Sequence, residues 1–591
     1  MSRPDRLRVV TTTVAATFCA TLVDEWVRAG VGLACVSPGS RSTPLALALA
    51  AEQRLAVAVF VDERSAAFAA LGHGLATGRP AVALCTSGTA ATHFHAAMVE
   101  ADLSSVPLIA CTADRPPELW DIGAPQTIDQ TRLYGTSVRY FAQPGVPDEA
   151  MASSWRPLAS RLAAEALGWS GRPGPVQLNL SFRDPLVGQP APLPPGRDGE
   201  APWHQVVPAR SASGVTADEM TTLIELLVSG DQARSGVIIA GRGRTPASAV
   251  LRLARSLGWP VLADHRSGCR SGPEAIASFD ALLRSDSFAR MVEPEVVLRF
   301  GEALSSKVLG QWLARSEAHV VAVIDDSRWV DPEQRAATVV AAPGAAQALL
   351  ESLPPHLRPA ASADLWRQAD TVATAAIEAT LAATATATGT DDETETECTS
   401  TVNEVAIARE VVANLPANGA LVVSSSMPIR DVEWFGPNRA DVDVYANRGA
   451  NGIDGVVSTA VGVALSGRPT TVLVGDVAFL HDSSALIGLR YRPIDLHIVV
   501  IDNNGGGIFS FLPQASALDA SRFELLFGTP HGTDLAALAR AHGLDVHPWS
   551  TPMATPQSRP GLRVTVAHTD RAANVALHAR LNASVVKAIE S

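Results

Sequence analysis

The chain has 591 residues, enough for three or four domains at about 150 residues each. Hydrophobic residues make up 47% and charged ones 18%, a balance that buries large cores and excludes wholesale disorder. The net charge of −13 argues against a general nucleic-acid binder, and no run approaches the roughly 18 apolar residues of a membrane-spanning helix.

Basic residues precede an apolar run at the N-terminus, the outline of a secretory signal. The run is rich in threonine and continues through VDEWVRAG without a cleavage site. The better reading is an amphipathic first helix capped near Thr11 or Thr12, in a cytoplasmic protein. The first block, 1–187, then alternates. Strands are expected at LACVS, AVAVFVDE, AVALCTSG, VPLIACTA and PVQLNLS, and helices through RSAAFAALGHGLATG and HFHAAMVEA. Apolar runs of this length between helices predict a parallel sheet covered on both faces. Proline and glycine mark 188–204 as a linker. A second α/β block, 205–360, carries the strands GVIIAG, WPVLAD, VVLRFG and HVVAVID. Residues 361–401 join an alanine-rich helix to an acidic, threonine-rich surface loop. The third block, 402–591, carries ALVVSSS, TTVLVGD, LHIVVIDNN and GLRVTVAH. The fold class is therefore α/β, with three doubly wound parallel-sheet domains, the first and third sharing one architecture. The six cysteines are scattered without metal-ligand spacing and read as small buried hydrophobes.

The strongest chemical signal lies in the third block. Asp476 ends one strand and Asn503 the next, 27 residues on. A right-handed crossover of that length sets both side chains at the carboxyl ends of neighbouring parallel strands, the edge where open α/β sheets bind ligands. A carboxylate, an amide oxygen and the Gly505 carbonyl are hard oxygen ligands suited to Mg²⁺, and the Gly505–Gly507 run admits close backbone approach. Either dipeptide alone would read as a turn beside a solvated acid; at this spacing they favour a metal–diphosphate site. Glu63 sits where an apolar strand becomes a helix. By itself it reads as an acid favoured by the helix dipole. In the second block G-R-G at 241–243 follows a strand, but without the full dinucleotide fingerprint, and no nucleotide is expected.

The Asp476–Asn503 pattern resembles the signature of thiamine-diphosphate (ThDP) enzymes, G-D-G followed by N-N, with Val477 in place of the last glycine. The motifs VSPGSRSTPLALAL (36–49), TSGTAATHFHAAMVEA (86–101), ADRPPEL (113–119) and GAPQTIDQ (123–130) narrow it. So do SSSMPIRDVEWF (424–435) and NRGANGIDGVVSTAVG (447–462). Together they resemble the 2-succinyl-5-enolpyruvyl-6-hydroxy-3-cyclohexene-1-carboxylate synthase family, ThDP-dependent transferases of menaquinone biosynthesis. The resemblance implies pyrimidine-binding, central and diphosphate-binding domains, with ThDP and Mg²⁺ (Mn²⁺ as the alternative) as cofactors. It implies decarboxylation of 2-oxoglutarate and conjugate addition to isochorismate. Glu63 would face the aminopyrimidine ring and favour its imino tautomer; Asp476, Asn503 and the Gly505 carbonyl would hold the metal. Ser426 would lie near the cofactor and Ile453 would be the apolar wedge that bends it. Ser40, Arg41, Arg115, Gln126, Lys307, Arg430 and Arg448 would line the pocket for two dianions, with Ile508 and Phe509 as an apolar wall. Arginine suits this pocket because its fork grips a carboxylate bidentately. In the second block Lys307 matches one member of a basic pair, and Val308 stands in the other's place. A site shared between subunits implies a homodimer or homotetramer.

Overall fold

The computed structural model describes residues 11–169, 171–206, 215–324, 328–342, 344–386, 402–550 and 561–591. It contains three six-stranded sheets, parallel throughout. Numbering strands within each sheet in chain order, the first sheet runs 2-1-3-4-6-5. Its strands are Leu33–Val36, Ala56–Val59, Ala81–Cys85, Leu108–Asp114, Tyr140–Ala142 and Pro175–Ser181. The last sheet has the same order, built from Ala420–Val423, Asp443–Tyr445, Thr470–Gly475, Leu496–Asp502, Asp545–Pro548 and Leu562–His568. The expected shared architecture of the first and third blocks is thus present. The middle sheet runs 3-2-1-4-5-6, the order of a dinucleotide-binding fold. Its G-R-G loop is close-packed on its own chain: a Cβ on Gly241 would lie 1.8 Å from the Glu302 carbonyl oxygen.

The fully buried strands match the apolar runs, since both faces of a parallel sheet are covered. The edge strand Ala56–Val59 was foreseen, but other short edge strands were not. Tyr140–Ala142, Asp443–Tyr445 and Asp545–Pro548 are only partly buried, so they lack the continuous apolar signal. The first helix runs Val14–Arg28 and is capped by Thr13, whose hydroxyl accepts from the Ala16 amide. The cap lies one residue beyond the Thr11–Thr12 pair near which it is expected. The alanine-rich helix spans Ser362–Thr386, while the acidic loop beyond it lies outside the described residues. Five cysteines are buried thiols, and Cys398 lies outside the described residues. No described helix is long and apolar enough to cross a membrane.

The chain clusters into two compact units. The first comprises Met1–Pro208, Asn447–Arg468 and His481–Ile494; the second comprises Ala209–Ala446, Pro469–Leu480 and Asp495–Ser591. Within the first unit, residues read as a linker are tied down. Gln189 accepts from the Thr13 amide, and Arg156 donates to the Pro194 carbonyl. The helix Val456–Ala464 also belongs to this unit and packs backbone-close on Glu63–Thr77. A Cβ on Gly462 would lie 1.9 Å from the Ala69 carbonyl oxygen, and one on Gly72 would lie 2.0 Å from that of Thr459.

Candidate active site

In the first unit, chemistry gathers at the carboxyl ends of the parallel strands. Glu63 opens the helix Glu63–Thr77, capped by Asp62, whose side chain accepts from the Arg64 amide at 2.8 Å. It lies near the end of strand Ala81–Cys85: burial first, and then the Glu63 carboxylate, push the Cys85 thiol well up. Arg115 follows strand Leu108–Asp114, and its amide donates to Asp114 Oδ1. Its guanidinium donates to Ser87 Oγ and, at 3.4 Å, to Gln126 Oε1. Burial, and then the Arg41 guanidinium, hold Arg115 below its usual range. Arg41 donates to the Phe182 carbonyl at 2.9 Å, and exposed Ser40 precedes it. The two guanidiniums stand close enough to oppose each other, with Asp114 and Asp184 offsetting part of that charge, the latter 3.9 Å from Arg41.

The loop carrying Arg448 and Ile453 is fixed by a residue absent from the candidate set. Buried Glu100 accepts from the Gly449 amide at 2.8 Å, the Ala450 amide at 2.7 Å and Ser104 Oγ at 2.6 Å. Arg448 and Ile453 are both half-buried.

In the second unit, Asp476 begins a short helix directly after strand Thr470–Gly475, which pairs with Leu496–Asp502. The second strand ends at Asp502, so Asn503 opens the following loop, one residue beyond the expected strand end. The two come together as the spacing requires. Asp476 Oδ2 accepts from the Gly505 amide at 2.8 Å and the Asn503 amide at 3.1 Å, while Oδ1 accepts from Val477. Burial raises the Asp476 carboxyl above its ordinary range, opposed by these bonds. Gly505 adopts φ +141°, and a Cβ there would lie 1.9 Å from the Gly528 carbonyl oxygen, so only glycine fits.

The donor set fits a hard divalent cation. Asn503 Oδ1 is buried with no hydrogen-bond partner, the Asn503 and Gly505 amides hold their loop against the Asp476 carboxylate, and the Gly505 carbonyl, which accepts from the Gly507 amide at 3.0 Å, keeps a second lone pair. A buried amide oxygen left open is costly unless something fills its coordination. Asp502 and His531 lie close enough to Asp476 for all three to offer ligand atoms within 4.8 Å of one another. His531 has another role, however. Its Nδ1 accepts from the Thr533 amide at 3.0 Å, which places the proton of the neutral ring on Nε2, 3.3 Å from Asp476 Oδ2. His531 therefore steadies the carboxylate as a donor.

Ile508 and Phe509 are half-buried in the turn Gly507–Phe511, with the Phe509 ring 5.4 Å from that of Phe527. Ser426 holds φ +77° before the helix Met427–Phe435, and its carbonyl accepts from the Arg430 guanidinium. Burial holds Arg430 below its usual range. Lys307 stands exposed at the start of helix Lys307–Arg315, while Val308 leans on the apolar core of the middle sheet. Among the described residues, no hydrogen bond joins Lys307 to the Asp476 loop. Ser87, Glu100, Glu404, Asp502 and His531 join the site without having been candidates; Ser87 and Glu100 stand inside the motif 86–101 and Asp502 beside Asn503, while Glu404 and His531 carry no signal in the sequence.

Three family models match. Residues 16–133 match the thiamine pyrophosphate enzyme N-terminal TPP binding domain, and 200–423 match the middle domain of thiamine pyrophosphate. Residues 439–569 match the thiamine pyrophosphate enzyme C-terminal TPP binding domain. A 2-succinyl-5-enolpyruvyl-6-hydroxy-3-cyclohexene-1-carboxylate synthase from Myxococcus xanthus is 41% identical, covering 96% of this chain and 97% of its own. Proteins of the same name from Geobacillus kaustophilus and Thermobifida fusca are 40% and 41% identical, covering 97% and 96% of this chain and 98% of each relative. With two TPP-binding modules flanking a middle domain and full-length identity near 40%, the chain belongs to the 2-succinyl-5-enolpyruvyl-6-hydroxy-3-cyclohexene-1-carboxylate synthase family of thiamine-diphosphate enzymes.

Proposed function

We propose that this enzyme decarboxylates 2-oxoglutarate and adds the remaining four-carbon unit to isochorismate. The product is 2-succinyl-5-enolpyruvyl-6-hydroxy-3-cyclohexene-1-carboxylate, an intermediate of menaquinone biosynthesis. When bound, thiamine diphosphate would supply a thiazolium ring as the sink for the electron pair left behind as CO₂ departs. Asp476, Asn503 and the Gly505 carbonyl hold Mg²⁺, or Mn²⁺ in its place, against the diphosphate; the open Asn503 Oδ1 supports this. Glu63 hydrogen-bonds the aminopyrimidine ring nitrogen and keeps that ring in its proton-accepting tautomer. Ser426 lies beside the cofactor, and Ile453 supports its bend.

The observation that carries the substrate reading is the Arg41–Arg115 pair with Ser87 and Gln126. Both proposed substrates are dianions, and the pair offers concentrated positive charge in an acidic protein. Ser40, Arg430, Arg448 and Lys307 complete the anion contacts, while Ile508 and Phe509 shield the reacting carbon from water. A homodimer or homotetramer completes the site. Val57 and Val59 on an edge strand, with Val61 just beyond, share one face and are 38%, 56% and 64% exposed, a surface suited to a second copy.

Isochorismate-dependent CO₂ release from 2-oxoglutarate, with pyruvate as the control, tests the reading. Turnover of 2-oxoglutarate that rises with isochorismate is expected. Activity on pyruvate alone would assign the chain to a different 2-oxo acid reaction.

A further inference from the structure

The amide of Asn503 has two chemically different ends, and only the oxygen suits a cation. Which end faces the loop is decided far away in the chain. Glu404 opens the helix Glu404–Ala413, whose cap Asn403 accepts from the Ala406 amide at 2.7 Å. The Glu404 side chain is 1% exposed. Its Oε1 accepts from Asn503 Nδ2 at 2.9 Å and from Thr569 Oγ1 at 3.0 Å. The donor end of the Asn503 amide is thus tied into the protein, and the acceptor end, Oδ1, is buried without a partner. Against the ionised Glu404 carboxylate, whose carboxyl burial pushes up to about 7, a flipped amide would set acceptor facing acceptor; in either state of Glu404 it would point an NH₂ group at the cation. Gly507 packs against the same donor end: a Cβ there would lie 2.6 Å from Asn503 Nδ2.

We propose that Glu404 is a positioning residue that holds Asn503 in the orientation of a metal ligand, with Thr569 steadying the carboxylate. This rests on the reading of Asp476 and Asn503 as ligands of the cofactor's divalent cation. Partners that orient a ligand are worth about tenfold to a hundredfold in metal affinity. Glu404 reaches the metal only through Asn503, so its effect should vanish when Asn503 is gone.

The test is Mn²⁺ affinity, read by electron paramagnetic resonance of the full chain with saturating thiamine diphosphate. The variants are Asn503→Ala, Glu404→Leu, Glu404→Gln and the Asn503→Ala/Glu404→Leu double. Glu404→Leu should weaken Mn²⁺ about tenfold or more, and the double variant should bind no worse than Asn503→Ala alone. Glu404→Gln, whose side-chain carbonyl still accepts from Asn503, should recover most of the loss. If Glu404→Leu fails to fold, Thr569→Val provides a milder loss in the same direction, again absent in the Asn503→Ala background. Unchanged affinity in Glu404→Leu, or losses that add fully in the double variant, would overturn the positioning role while leaving the ligand assignment standing. Unchanged affinity in Asn503→Ala would remove the ligand assignment itself, and the positioning role with it.

Discussion

Among single residues, a carboxylate and a guanidinium carry the chemistry. Glu63→Gln keeps size and a hydrogen-bonding side chain but cannot hold the proton that the aminopyrimidine shares with a carboxyl group. Deuterium exchange at C2 of bound thiamine diphosphate should fall at least a hundredfold, with cofactor affinity and melting temperature kept. Exchange at the wild-type rate would remove Glu63 from that role. Arg115→Ala deletes charge-assisted bonds worth about 1.5–3 kcal/mol. The Michaelis constant for one or both dianions should therefore rise about tenfold to a hundredfold. Arg115→Lys should recover part of this, since the ammonium keeps the charge but loses the fork. Kinetics with each substrate varied in turn would decide it, and unchanged constants in the alanine variant would make Arg115 a structural residue. The meeting of Asp476 with Asn503 was legible because strand ends and crossover length are local properties of the sequence. Glu404 and His531 were not, because what gives them meaning is a partner dozens of residues away. Ser87 stood inside a quoted motif, yet a lone hydroxyl gives no sign that it meets Arg115.

Elements follow the same division. Strands buried on both faces announce themselves as apolar runs, whereas Asp545–Pro548 has charged and polar residues and a proline and is only partly buried. Its place at the sheet edge comes from pairing with Leu562–His568. The packing of helix Val456–Ala464 on Glu63–Thr77 was equally hidden, since it is made by glycines. By helix propensity, Gly→Ala should stabilise by up to about 1 kcal/mol. At Gly72 and Gly462 the new methyl would meet backbone carbonyls at 2.0 and 1.9 Å, where no side chain can move aside. Overpacking of this kind costs about 1–3 kcal/mol, so the contact outweighs the propensity and the sign reverses. Both Gly72→Ala and Gly462→Ala should lower the denaturant midpoint, and a rise in either would show that the helices can separate without cost. Because Glu63 opens one of these helices and Arg448 and Ile453 precede the other, the same variants should also slow turnover.

For the whole molecule, buried neutral histidines make stability depend on pH. Burial lowers His73 in the first unit to about 4, and lowers His497 in the second to about 3. Both lie below the value of about 6.5 for an unfolded histidine. The unfolded chain therefore takes up protons first as pH falls. The stabilisation is complete above about pH 6.5, declines below it and is exhausted near the folded values. For His73 the difference amounts to up to about 3 kcal/mol. Buried Glu404 and Asp482, pushed up to about 7 and about 6, act in the opposite sense over the same range, so the test is a difference: between pH 6.5 and 4.5 the denaturant midpoint of the wild type should fall relative to that of His73→Gln, and parallel profiles would contradict the buried neutral state. The reaction itself admits the most direct test. Purified enzyme with thiamine diphosphate, Mg²⁺, 2-oxoglutarate and isochorismate is analysed by mass spectrometry. The expected product has the mass of isochorismate plus 2-oxoglutarate less CO₂ and is absent when either substrate or the cofactor is withheld. Decarboxylation that leaves isochorismate unconsumed, or no turnover of 2-oxoglutarate by folded, cofactor-loaded enzyme, would contradict the proposed reaction.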